Sequence, residues 1–437
     1  MVDSSKNQDS ERRKHLRRRT VLGLSGTALA AGLAGCTGDG GEESGGSMSG
    51  GTDSGSGSTS TATSGETDDG SGSTSSATPI ADSKEGIMNE YDLDLVDYAD
   101  QVENELTIFQ WNAYWPTYIV PNFEKLYDVN VNMSFFSSNE AMLNKLKTLG
   151  PGQVDLIFPS DFMVNIMATQ DMLGFLNKDK IPNYGNLKDS FKKVTYEPEG
   201  ASGTYSMPYN WGWSAMGNNK EVTGRSLEPT WDEIFNGEGS GQITMLNNMR
   251  ETIGAALLKL EYSVNTTDEQ KINEAKDLLI QQKKDGLVKA YDSSNVQSLL
   301  TNGEASPVHG WNGDVFGAYR NLMNDDKEAP VEFVIPEEGN VIWTDAAVID
   351  KQAPNPNAAH AFLNYINNKK VHADITSWLI YPTIIENEKE FRSDQWAFEK
   401  LEGFSPTNEQ LDQMEYIKNV GQKTKLFSEA WTEIKNA

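Results

Sequence analysis

The residues with most to offer chemically are aromatic side chains set beside polar ones: Trp111-Asn112-Ala113-Tyr114, Pro159-Ser160-Asp161-Phe162, Trp311-Asn312-Gly313-Asp314 and Trp343-Thr344-Asp345. The faces of Trp and Tyr attract cations, each contact being worth about 0.5 to 2 kcal/mol according to desolvation. A carboxylate beside such a face adds a charge-assisted hydrogen bond to an ammonium. This is the chemistry of a site for a small organic cation. Each tryptophan taken singly has a plainer explanation in core packing, because Trp is usually largely buried. Support for catalysis is thin. The chain has no GxSxG, no phosphate-cradling glycine loop, no CxxC and no HExxH. His15 sits in a basic N-terminal segment, and His309, His360 and His372 stand at spacings that suit no metal cage, so they read as structural or solvated. The expectation is a chain without catalytic residues, metal or cofactor.

The elements that must position these groups alternate between strand and helix. Short β-branched or aromatic runs at 107–111, 129–135 and 155–158 read as strands. Between them lie helical patterns at 117–126 and 139–149, the second with Ser138 as N-cap. After Pro208 comes Trp211-Gly212-Trp213, followed by a second series: a strand at 242–246, a helix at 251–262, a charged helix at 268–284 capped by Thr266 or Thr267, and strands near 306–309 and 331–335. Such alternation predicts parallel sheets covered by helices, an α/β fold. The aromatic-polar groups fall at the carboxyl ends of strands, where open α/β sheets bind ligands. The ordered part exceeds one comfortable core, so two lobes are expected. Asn265-Thr266-Thr267 is a glycosylation sequon.

The N-terminus places the protein in the cell. A basic run ending in Arg18-Arg19-Thr20-Val21-Leu22 leads into an apolar segment closed by Leu33-Ala34-Gly35-Cys36. This is a secretory leader at 1–35, too short for a stable membrane span. Its twin arginines predict export of an already folded chain. Leu-Ala-Gly-Cys resembles a lipobox, in which the cysteine is lipidated and holds the protein on the outer face of the membrane. Cys36 is the only cysteine, so neither a disulfide nor a thiolate cluster is available to the fold. Residues 36–103 read as a disordered Gly/Ser/Thr-rich tether. In such a chain the end-to-end distance grows as about 5 to 6 Å times the square root of the residue number. The whole chain has a formal charge of −27, and residues 36–437 carry 30 basic against 61 acidic residues. A surface that acidic repels nucleic acid and anionic lipid headgroups, so the membrane is met through the anchor alone. The carboxylate excess also resembles proteins of salt-loving archaea, where molar salt shortens the Debye length to about 3 Å.

From about Leu106 to the C-terminus the chain resembles the spermidine/putrescine-binding proteins, extracytoplasmic receptors of polyamine ABC importers. The resemblance runs through Phe109-Gln110-Trp111-Asn112-Ala113-Tyr114, Ser137-Ser138-Asn139-Glu140-Ala141-Met142 with Lys145-Leu146-Lys147, and Asp155-Leu156-Ile157-Phe158-Pro159-Ser160. It continues through Met207-Pro208-Tyr209-Asn210-Trp211-Gly212, Arg250-Glu251, Trp311-Asn312-Gly313, Trp343-Thr344-Asp345 and Tyr381-Pro382-Thr383. It implies a two-lobed periplasmic-binding-protein fold of type II, with two parallel or mixed sheets flanked by helices and crossovers near 209–211 and 342–344. One lobe would comprise 104–210 and 344–388, the other 211–343 and 389–437. It further implies a monomer that delivers a polyamine to a permease. Trp111, Trp311 and Trp343 fall at aromatic clamp positions, Glu251 and Asp345 at anionic ones, and Ser160 and Tyr381 at cleft-facing ones. Asn112, Tyr114, Asp161, Phe162 and Asn248 complete the expected ligand set, Phe162 standing where spermidine binders have a tyrosine.

Two departures bear on the ligand. Spermidine binders carry a glutamate where this chain has Ala113, and an aspartate where it has Asn248. Each change removes a negative charge, and an unpaired buried ammonium costs several kcal/mol. Asp161 or Asp314 could compensate, unless they are solvated loop carboxylates. A diamine or another organic cation is the alternative ligand; a cell-surface hydrolase or a structural surface protein are the alternatives of other classes.

Overall fold

The computed structural model describes residues 83–112, 114–237, 242–324, 328–392, 398 and 400–437. The leader, Cys36, most of the expected tether and Ala113 lie outside these residues. Among the described residues ten strands organise the fold: β1 (Glu105–Trp111), β2 (Asn130–Phe136), β3 (Leu156–Ile157), β4 (Ser206–Asn219), β5 (Ile243–Met245), β6 (Val288–Tyr291), β7 (Val308–Trp311), β8 (Val331–Val334), β9 (Val341–Ile349) and β10 (Glu415–Tyr416). Strands β2, β1 and β3 form one parallel set, and β7, β5 and β6 another. Each strand of a parallel set must be followed by a crossover, which the intervening helices provide.

The two parallel sets are not separate sheets. Strands β4 and β9, antiparallel to each other, stitch them into one continuous path, β2-β1-β3-β9-β4-β7-β5-β6, with β8 on β4 and β10 on β9. The reason is length. At 14 residues, β4 pairs first with β9, from Ser206 to Ser214, and then with β7 and β8, from Ser214 to Asn219. Nearly every residue of β4 and β9 is buried, as expected of strands covered on both faces.

Side-chain chemistry sets the element ends. Ser138 Oγ accepts from Ala141 N at 3.1 Å and starts the helix Asn139–Leu149, as its sequence predicts. The long charged helix begins at Glu269, one residue later than expected, because the cap is Asp268 and not Thr266 or Thr267; its carboxylate accepts from Gln270 N at 2.9 Å. The side chain of sequon residue Asn265 is engaged with Tyr416 O at 2.8 Å and Lys418 N at 2.7 Å.

Packing falls into three clusters. One gathers Ile108, Tyr209, Ala347 and Phe362, and another Trp213, Ala215, Phe316 and Ile342. The third runs from Phe109 and Phe162 across to Ile253 and Phe427. A buried charged group braces the centre. His372 Nδ1 lies 2.7 Å from Glu388 Oε2 and its Nε2 3.1 Å from Tyr209 O. Glu388 also accepts from the Thr376 and Thr383 hydroxyls and from Arg392 Nη1 at 3.3 Å. Burial opposes the Glu388 charge, yet the His372 and Arg392 charges hold its carboxyl below the usual range. His360 and His309 are buried as well, His360 bonded to Asn177 N and Pro356 O, His309 edge-on to the Trp231 ring.

Residues 83–103, expected to belong to the tether of 36–103, instead carry helical structure packed on the core. Ser83 caps a helix, Lys84–Tyr91, in which Ile87 and Tyr91 are 0% and 3% exposed. Tyr91 donates to Asp374 at 2.8 Å, and Tyr98 to Lys180 O at 2.7 Å. The Ile87/Tyr91 pair, four residues apart, is a helical stripe with a hydrophobic surface to cover. Removing residues up to 82 should therefore leave the melting temperature unchanged within a degree or so. Removing residues up to 103 should lower it by about 5 °C, from about 1.5 to 3 kcal/mol for each of two large side chains lost from the core. Calorimetry of the two truncations checks this.

Candidate functional site

The β4–β9 ladder brings the separated motifs together. Asn210 pairs with Asp345, Gly212 with Trp343, and Ser214 with Val341 on one side and Trp311 of β7 on the other. Directly opposed residues share a face, so Asp345, Trp343 and Trp311 line one stretch of sheet. Gly212 is the low point of that stretch. A methyl group there would lie 2.5 Å from Asn312 Oδ1 and 2.8 Å from the Trp343 ring, so only glycine lets these side chains close over the strand. A glycine between two tryptophans in a strand is the signal that could have revealed this.

Asp345 is held by two distant segments. Its Oδ1 accepts from Ser160 Oγ at 2.7 Å, and its Oδ2 accepts from the Tyr114 hydroxyl. Ser160 is itself fixed by Asn139, whose amide donates to Ser160 Oγ at 3.1 Å and accepts from Ser160 N at 3.0 Å. Burial pushes the Asp345 carboxyl up to about 6, against the lowering effect of the Tyr114 and Ser160 hydrogen bonds.

Glu251 occupies the first turn of the helix Met249–Lys259. Its Oε2 accepts from the Ser214 hydroxyl and its Oε1 from Trp311 Nε1 at 3.4 Å. Burial raises it to about 7, offset by those two bonds and reinforced by the Asp345 charge. Trp343 and Tyr381 meet edge to face, with ring centres 5.1 Å apart. Burial raises the Tyr381 hydroxyl far above its usual range, and Asp314, Asp345 and Glu251 add to the effect. Both Asp345 and Glu251 keep lone pairs for an added donor, with aromatic faces alongside. Such an arrangement can bind ammonium groups.

Trp111 packs on Phe136, ring centres 4.5 Å apart, and Asn112 is exposed at the strand end. There Asn112, Phe136, Ser137, Lys145 and Ser294 line a cavity of about 360 Å³, on the scale of small-molecule sites.

Three expected ligand residues serve the scaffold. Asp161 accepts from Phe162 N at 2.6 Å and from Thr344 N at 3.1 Å, so its carboxylate pins β9. Phe162 is buried in the core beside Met163 and Met167. Asn248 is an N-cap, its Oδ1 accepting from Glu251 N at 3.3 Å. Two residues that sequence reasoning passed over, Asn139 and Ser214, are the direct supports of Ser160 and Glu251. Among the described residues no group of three His, Cys, Asp or Glu side chains is placed to hold a metal ion.

Known proteins resemble this architecture over the same stretch of chain. The spermidine/putrescine-binding periplasmic protein of Escherichia coli is 29% identical over 336 residues, covering 76% of this chain and 92% of that protein. A putative spermidine/putrescine ABC transporter structure from Listeria monocytogenes superposes with a TM-score of 0.69 at 28% identity, covering 76% of this chain and 99% of the other. The structure of a Treponema pallidum lipoprotein gives 0.65 at 26%, with the same coverage. The two-lobed periplasmic-binding-protein fold is thereby established. Residues 119–401 match the family described as bacterial extracellular solute-binding protein, and the chain belongs to that family.

Proposed function

We propose that this protein is a membrane-tethered receptor that captures a polyamine between its two lobes and hands it to an importer's permease, without chemical turnover. The observation that carries the reading is the pair of buried carboxylates, Asp345 held by the Tyr114 and Ser160 hydroxyls and Glu251 by the Ser214 hydroxyl and Trp311 Nε1. A buried carboxylate is costly without a partner, and an ammonium ligand supplies one. The Escherichia coli relative named for spermidine and putrescine supports the ligand class. The ligand-facing set is then Trp111, Asn112, Tyr114, Ser160, Glu251, Trp311, Trp343, Asp345 and Tyr381, with Asp161, Phe162 and Asn248 as positioning residues.

The lobes divide at the β4–β9 ladder, one from 104–210 with 344–388 and the other from 211–343 with 389–437. The shift of register between Pro208 and Asn210, and core clusters that change between Tyr209 and Trp213, support a hinge there. Export by the twin-arginine route, lipidation at Cys36 and a tether ending near residue 82 are read from residues 1–82. The Treponema neighbour, itself called a lipoprotein, agrees with an anchor. None of the described helices is long and apolar enough to cross a membrane. The acidic excess fits a monomer working in concentrated salt.

Spermidine or putrescine should raise the melting temperature of the protein in molar salt by mass action, and absence of any shift across a polyamine panel would sink the reading. Trp343→Ala and Asp345→Ala should each weaken polyamine binding at least tenfold, about 1.4 kcal/mol, with the fold intact by circular dichroism. Affinity should also depend on pH. In the free protein Glu251 and Asp345 titrate near 7 and 6, above their unfolded values, so the folded state holds extra protons. Their contribution to the stability of the free protein is therefore present in mild acid and lost as pH rises through those values. A bound cation favours the charged forms, so titration calorimetry should find binding at least tenfold tighter at pH 8 than at pH 5.5.

A further inference from the structure

The cavity at the carboxyl ends of β1 and β2 has the opposite electrostatic character from the pair of carboxylates. Among the described residues its lining holds one full charge, the Lys145 ammonium, and no acid. Lys145 Nζ stands 4.5 Å from the centre of the Phe109 ring, and among the described residues it has no carboxylate within ion-pair distance. Two acids adjoin the lining in sequence, and both are engaged elsewhere. Asp292 Oδ1 accepts from Ser294 N at 2.7 Å and its Oδ2 from Asn295 Nδ2 at 2.8 Å. Burial pushes the Glu140 carboxyl up, opposed by a backbone amide and by the charge of Arg250. The rest of the wall is aromatic or neutral. Phe136 meets Phe109 and Trp111 edge to face, with ring centres 4.9 and 4.5 Å away, and Phe135 beside it leaves 47% of its surface uncovered. Asn112, Ser137 and Ser294 add neutral polar groups.

Two short stretches of backbone connect this cavity to the carboxylate site. Asn112 lies two residues before Tyr114, which donates to Asp345, and Ser137 lies two residues before Asn139, which fixes Ser160. An ammonium that reaches the cavity meets a like charge and no acid to neutralise it. A carbonyl oxygen fares the other way, because the Lys145 ammonium, the Asn112 amide and two serine hydroxyls are all donors. The carbons attached to that carbonyl can lie on Phe135 and Phe136. We infer that this cavity is an acyl subsite, and that the preferred ligand of this chain is a polyamine acylated on one terminal nitrogen, with its ammonium groups at Asp345 and Glu251 and its amide carbonyl toward Lys145. The charges then match: a mono-acylated triamine keeps two ammonium groups, one for each carboxylate, and brings none to the Lys145 end. Lys145 acts against the free triamine, whose third ammonium would have to sit beside it. The inference rests on the polyamine reading above.

The test is titration calorimetry of spermidine and of its two terminal mono-N-acetyl isomers, at pH 8 and molar salt, on the protein and on its Lys145→Glu and Lys145→Gln variants. At least one acetyl isomer should bind the parent as tightly as spermidine or more so, although it carries one charge fewer. Lys145→Glu should turn the preference round, strengthening spermidine and weakening that isomer until their affinity ratio has moved at least tenfold. Lys145→Gln should move the ratio the same way by at least threefold, and it serves if melting of the ligand-free proteins shows Lys145→Glu to be misfolded. A parent that binds spermidine at least tenfold tighter than either acetyl isomer overturns the acyl subsite and leaves the polyamine receptor standing. So does a ratio that neither variant moves. A parent that binds none of the three overturns the polyamine reading itself.

Discussion

Along Asn210 to Ser214, β4 pairs with Asp345 to Val341 of β9, and almost no residue of either strand reaches solvent there. Parity in such a ladder is unforgiving. A slip of one residue would turn Asp345 and Trp343 to the far face and put Thr344 and Ile342 in their place. Asp161 guards against this by accepting from Thr344 N, and Ser160 forms a bridge with Asp345 itself. Asp161, expected from the sequence as a ligand group, thus sets the register on which the facing of Asp345 and Trp343 depends. The same ladder joins the two parallel strand sets, so the site lies where the halves of the molecule share backbone.

The buried charges around His372 reach the same place from behind. Tyr209, whose carbonyl faces His372 Nε2, stands at the irregularity between Pro208 and Asn210 where the ladder shifts register. Glu388 ties His372 to Arg392, and Arg392 Nη1 donates to Tyr381 O at 3.4 Å. One buried network therefore touches both the kink in β4 and the backbone of a cleft tyrosine. Removing a single member would strand the others without water, which is why such networks are costly to break even where their net contribution to stability is small.

Much of this was legible in the chain because local rules act alone. The alternation of β-branched runs with capped helices gave the α/β class, and Ser138 before Asn139 fixed a helix start to the residue. Long-range features were another matter. That Tyr114, Ser160 and Asp345 converge depends on segments up to 231 residues apart, and only the resemblance to known receptors suggested it. Residue type is also ambiguous where one chemistry serves two ends. Asn248 and Asp161 carry the oxygens a ligand would want, but the amides of Glu251 and Thr344 are nearer and take them. The helix Lys84–Tyr91 leaves little trace in the sequence because it follows a long Gly/Ser/Thr-rich stretch and has only two buried positions, too few for periodicity to stand out.

The charge of the whole chain and the charge of the cleft are separate matters. A formal −27 spread over the surface attracts any cation, and salt screens it. Asp345 and Glu251 are 6% and 4% exposed, and burial has already raised their affinity for protons. A proton is the smallest cation that can neutralise them in place. An ammonium does the same work only if its alkyl stem can be buried too, and the rings of Trp311, Trp343 and Tyr381 beside those carboxylates provide that surface. Inorganic cations lack the stem and would have to shed water without apolar contact in return. Under the polyamine reading, selectivity for an organic cation would thus follow from desolvating the carboxylates and not from the number of acids the protein displays.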